Sequence, residues 1–200
     1  MRVILLASLA IVCAKLALAE APPSILSCTG AFAKDSDHAR LVQIFGAANV
    51  TTSKIEVPDG DPVNATVIYA KDPKRRLEVT WMNEKARQNP NVIVRGDTSA
   101  WTTEDGLALG TSLQDVERRN GKPFKLSGFD WDYGGSVFDF DGGTLGKRPG
   151  GCHLGLTFAH AHTGDGASSK VSGDQEFLSS NPAMRAAKPV VSQISIGWPQ

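Results

Sequence analysis

SLQDVERRNGKPFKLSGFDWDYGGSVFDFDGG, residues 112–143, carries the densest structural signal in the chain. Ser112 followed three residues later by Asp115 is a helix start of the capping-box type, and Leu113 and Val116 share one face of the turn that follows. Asn120-Gly121 closes that helix, and Pro123 forbids its continuation. Residues 129–133 and 136–141 are aromatic-rich runs on either side of Gly134-Gly135, the pattern of a hairpin with a two-residue turn. In that register Tyr133 faces Ser136, Trp131 faces Phe138 and Phe129 faces Phe140 on one side of the ribbon. The other side collects Asp130, Asp132, Asp139 and Asp141. Carboxylates opposed across a ribbon repel, so such a face requires water, a cation or basic side chains against it.

The same grammar is read in the first half. Residues 35–45 form a short helix with Asp37 at its start and Gly46 at its end, and Leu41 is its buried position. Runs at 65–70 and 77–81, joined by Lys71-Asp72-Pro73-Lys74, pair as a hairpin, and 92–95 adds a strand after a polar loop over 83–91. In the second half the next strand runs over 152–159, and one more strand-like run lies at 190–196. Setting Gly46 on Gly121 places Asp37 on Ser112 and Leu41 on Val116. The expected fold is therefore α+β: two related helix, β-hairpin and strand units with antiparallel sheet, stapled by one disulfide. The expected organisation is a signal peptide over 1–19, an extended leader over 20–35, a first unit over 36–96, a second over 97–169, and a C-terminal segment over 170–200.

Two hundred residues with 21 Lys+Arg against 21 Asp+Glu make a chain with no formal net charge, which disfavours a basic nucleic-acid binder. Arg2, the apolar run over 3–14 and Ala17-Leu18-Ala19 make a secretory signal peptide, too short and interrupted by Lys15 to serve as a membrane span. Val12 stands where a lipobox wants a small residue before Cys13, so simple secretion to the periplasm or exterior is expected rather than lipidation. Cleavage removes Cys13 and leaves Cys28 and Cys152. In an oxidising compartment these two form a disulfide.

The stretch GLALGTSLQDVERRNGKPF, residues 106–124, resembles the short helical signature of small bacterial envelope proteins. Val116, Gly121 and Pro123 stand at the signature positions, and Trp131 and Tyr133 lie in the aromatic strand that follows. Outer-membrane assembly lipoproteins of the SmpA/OmlA type carry this signature, and secreted tandem-repeat β-lactamase inhibitor proteins use a related unit twice. In the first copy Ala48 stands where the proline should be. The resemblance implies an α+β unit that binds other proteins without catalysis, and it carries over no partner.

Candidate chemistry falls on two groups of residues. Asp130, Trp131, Asp132, Asp139 and Asp141, with Trp101 in the turn-like Ser99-Ala100-Trp101-Thr102, make an aromatic and acidic surface for a protein or an envelope component. In a strand from Cys152, His160 and His162 point the same way and Asp165 follows, a ligand set for a divalent transition metal. No nucleophile elbow, phosphate loop or H-E-x-x-H accompanies them. The expected function is a secreted or periplasmic non-catalytic binding protein, with no nucleic-acid partner, no transmembrane span after signal cleavage and no cofactor. The rival expectations are a metal-dependent hydrolase built on His160, His162 and Asp165 with a bound divalent cation, and a small-ligand carrier.

Overall fold

A computed structural model describes residues 24–57, 60–160 and 168–198. Among them eleven strands and three α-helices run in the order β1 (Ile25–Leu26), α1 (His38–Phe45), β2 (Val50–Ile55), β3 (Val63–Ile68), β4 (Leu77–Asn83), β5 (Gln88–Arg95), β6 (Thr102–Thr103), α2 (Leu113–Asn120), β7 (Lys125–Ser127), β8 (Val137–Asp139), β9 (His153–Ala159), β10 (Glu176–Leu178), α3 (Pro182–Ala186) and β11 (Val190–Gly197). The signal peptide and Cys13 lie outside the described residues. No helix among those described is long and apolar enough to cross a membrane.

Both longer helices begin where local hydrogen bonding dictates. Asp37 accepts from the Arg40 amide at 2.8 Å and Ser112 from the Asp115 amide at 3.2 Å, each satisfying a donor that the first turn leaves orphaned. Leu41 and Phe45 on α1, and Leu113 and Val116 on α2, then turn one face into the core. Asn120 ends α2 and is itself buried. Its Nδ2 donates to the carbonyls of Lys122 and Phe140, both at 2.9 Å, and its Oδ1 accepts from the Leu145 amide at 3.2 Å.

The strands form three sheets: a pair β1-β6, a three-stranded sheet β10-β7-β8, and a six-stranded antiparallel sheet in the order β2-β3-β4-β5-β11-β9. The large sheet turns Leu77, Val79, Val92, Val94, Leu154, Leu156, Phe158, Ile194 and Ile196 into one core with the helices. Its other face carries Thr80, Asn91, Ser195 and a buried Glu78 held by Arg76 at 2.8 Å and Arg95 at 2.5 Å. On β3, the buried Thr66 hydroxyl receives the Trp81 indole N–H at 3.0 Å and meets His38 Nδ1 at 2.9 Å. Burial first, and the Arg87 guanidinium second, hold His38 below the ordinary histidine range.

This architecture corrects the expected pair of α+β units. The protein is mostly β, with its α-helices limited to eight, eight and five residues. The supposed polar loop over 83–91 is largely strand: β4 and β5 continue through Asn83↔Gln88 and turn over 84–87. The polar run VTTSKI, unassigned from sequence, is the edge strand β2. β11 inserts between β5 and β9, so strands from both halves of the chain share one sheet, a point the sequence left open. The cysteines do pair: a Cys28–Cys152 disulfide joins residues 124 apart in sequence.

Candidate functional site: an aromatic loop at the sheet edge

The expected hairpin about Gly134-Gly135 does not form. The pairing strands are β7 and β8, in a register that sets Lys125 against Asp139 and Leu126 against Val137, and residues 128–136 make a loop between them. The backbone explains the difference. A two-residue hairpin turn needs positive φ at its first central position, whereas only the second glycine, Gly135 at φ 74°, has it. Gly135 instead lies against the edge of the large sheet, accepting from the Phe158 amide at 2.9 Å while its own N–H reaches the Gly128 carbonyl at 3.0 Å.

Each end of the loop is tied to a different segment. Gly128 N–H donates to Gln175 O and Phe129 N–H to Val171 O, both at 2.8 Å, and Gly173 N–H returns a bond to Phe129 O at 2.8 Å. The buried Ser127 hydroxyl donates to Tyr133 O at 2.5 Å and accepts from Ser136 N–H at 3.0 Å. Main-chain bonds therefore hold the loop to β9 and to residues 171–175, which limits the conformational entropy that ordering on a partner would cost.

The aromatic side chains divide. Phe129 and Phe140 are buried, whereas Tyr133 is 49% and Phe138 is 52% exposed. Trp131 is half-buried, its indole N–H donating to Gly128 O at 2.9 Å and its ring meeting Tyr133 edge-on at 5.6 Å. Trp101 does not join this surface. It is 2% exposed, packs among Phe32 and Phe45 and donates to Arg75 O at 2.8 Å, so it is a core residue rather than a contact residue.

The aspartates divide as well. Asp132 and Asp139 are exposed, and Asp139 accepts from the Asp141 amide at 2.9 Å. Asp141 lies 3.4 Å from Lys122. Lys125, beside the β7–β8 register, is held above the ordinary lysine range, first by its hydrogen bond to Glu176 and more weakly by Asp141 and Asp139. Asp130 turns the other way, at φ 63°, and its carboxylate takes the Ser172 hydroxyl at 2.5 Å on one oxygen and His160 Nε2 at 3.2 Å on the other. The single acidic face expected from sequence is thus split, because Asp130 and Asp139 are not cross-strand neighbours.

Asp130 and His160 came from separate sequence readings, one acidic and one metal-binding, and the fold brings them together. His160 is nearly enclosed, with its side chain 5% exposed and its ring edge-on to Phe129 at 4.7 Å. His162 and Asp165, the other expected ligands, lie outside the described residues. Among those described, no group of three or more His, Cys, Asp or Glu is placed to hold a metal ion. Sequence reasoning found the aromatic and acidic residues but missed Ser172 and the backbone ties to 171–175; nothing near Ser172 in sequence signals them.

No family model, curated protein or solved structure matches this chain.

Proposed function

We propose that the protein is a non-catalytic binding protein of the periplasm or cell exterior, and that loop 128–136 with β8 is its recognition surface. The observation that carries this reading is the exposure of Tyr133, edge-on to Trp131 on a loop tied by main-chain hydrogen bonds to two other segments, and of Phe138 on the adjoining β8. Aromatic side chains on a preset loop supply large contact area at low entropic cost, and they dominate binding energy at interfaces. Asp132 and Asp139 flank them, which favours a partner surface rich in Lys and Arg. The disulfide, stable in oxidising compartments, supports the location.

The experiment compares the parent with Tyr133→Ser/Phe138→Ser and with Asp132→Asn/Asp139→Asn in capture from the native host's envelope, followed by affinity measurement with the purified captured partner. The aromatic double variant weakens binding about a hundredfold, the scale of losing two anchors, and the acidic double variant flattens the salt dependence. Capture of the same proteins with equal affinity by all three chains refutes the assignment of this surface.

A further inference from the structure

The face of the six-stranded sheet turned away from the main core carries a row of neighbouring positions across four strands: Thr80 on β4, Asn91 on β5, Gly197 on β11 and His153 on β9. Gly197 lets the Asn91 carboxamide lie flat over the sheet, since a Cβ there would come 2.7 Å from Asn91 Oδ1, and Gly155 does the same for the Ser195 hydroxyl. Thr80 fixes the amide: its hydroxyl accepts from Asn91 Nδ2 at 3.2 Å, which leaves Oδ1 over Gly197. The result is a groove of about 170 Å³ floored by Asn91, Ser195 and Gly197, with Met82 at the β4 end, His153 at the β9 end and Trp198 at the rim.

The polar atoms of this groove are not engaged elsewhere. Among the described residues, Asn91 Oδ1, the Ser195 hydroxyl, the His153 ring and the Trp198 indole N–H have no hydrogen-bond partner, and none of them is sealed from solvent. Together they offer donors and acceptors in one small space. None of the lining residues is Lys, Arg, Asp or Glu, so a charged ligand would lose hydration without finding a counter-charge. A wholly apolar ligand would cover these groups and leave them unpaired. The apolar contact comes mainly from Met82, which is 40% exposed, because Trp198, at 7%, presents only a small part of its ring system.

We infer that this groove binds one ring of a neutral saccharide, with its hydroxyls on Asn91, Ser195 and His153 and a C–H face against Met82. The site lies on the large sheet, away from the aromatic loop, and neither proposal needs the other.

Magnetic resonance titration of the isotope-labelled chain with glucose, N-acetylglucosamine and glucuronate tests it. At least one of the two neutral sugars produces a saturable, single-site shift of the Trp198 indole N–H and the Gly197 amide, while the Trp131 indole stays in place. Glucuronate, the same ring with a carboxylate, binds about tenfold more weakly than glucose. Ser195→Ala/His153→Ala and Met82→Ser each weaken sugar binding about tenfold, with melting temperatures close to the parent's because these side chains are at least partly exposed and make no internal hydrogen bonds. Absence of a saturable shift with both neutral sugars, a shift at Trp131 in place of Trp198, glucuronate binding as tightly as glucose, or equal binding by the parent and both variants overturns the inference.

Discussion

Replacing Gly135 with alanine tests whether the aromatic loop is held by close approach of two backbones. A Cβ at this position comes 2.0 Å from the Phe158 carbonyl oxygen, a main-chain atom that cannot rotate out of the way. To relieve the clash the loop must leave the sheet edge, losing the bonds Phe158 N–H to Gly135 O at 2.9 Å and Gly135 N–H to Gly128 O at 3.0 Å. Two such bonds at about 1 kcal/mol each, plus about 1 kcal/mol for an alanine at positive φ, give a loss of about 3 kcal/mol. For a domain of this size that lowers the melting temperature by roughly 6–12 °C. Gly142→Ala separates the two contributions, because Gly142 has φ 71° but no atom within 4 Å of its added Cβ, so only the conformational cost of about 1 kcal/mol applies. Urea unfolding followed by tryptophan fluorescence gives the free energies, and hydrogen exchange at the Phe158 amide reports the local contact. Equal losses in the two variants, with the Phe158 amide protected as in the parent, would refute the close-approach argument.

Three further outcomes follow from the same packing. Asn120→Ala removes three side-chain hydrogen bonds, two of them buried, and lowers stability by about 3 kcal/mol in urea unfolding; a loss under about 1 kcal/mol contradicts the bridging role. Opening the disulfide, by reduction or as Cys28→Ser/Cys152→Ser, releases a closure spanning 124 positions, and the chain-entropy relation puts its contribution at about 5 kcal/mol. A variant with unchanged urea midpoint would count against it. His38 is held below its ordinary pKa by burial and then by Arg87, so the folded state binds fewer protons than the unfolded chain. Its stabilising effect is present above the unfolded histidine pKa of about 6.5 and is lost as pH falls through the lower folded value. His38→Gln flattens stability between pH 8 and 5, and unaltered pH dependence in that variant refutes the assignment.

What residues 112–121 and 37–46 do could be read directly, because capping is chemistry among neighbours: Ser112 reaches the amide three residues on, and Asp37 does the same. The disulfide followed from counting cysteines once an oxidising compartment was expected. The hairpin reading of 129–141 failed for the opposite reason. Whether Gly134-Gly135 closes a turn or lies against another strand is decided by where Phe158 sits, and no local pattern contains that information. The aspartates show the same divide. Their abundance is visible in sequence, but Asp130 finds partners 30 and 42 positions away, in His160 and Ser172, and leaves the others behind. The mostly β architecture has the same origin, since polar segments such as VTTSKI become strands through the ladder bonds a neighbouring strand supplies, and that neighbour is chosen only when distant parts of the chain pack together.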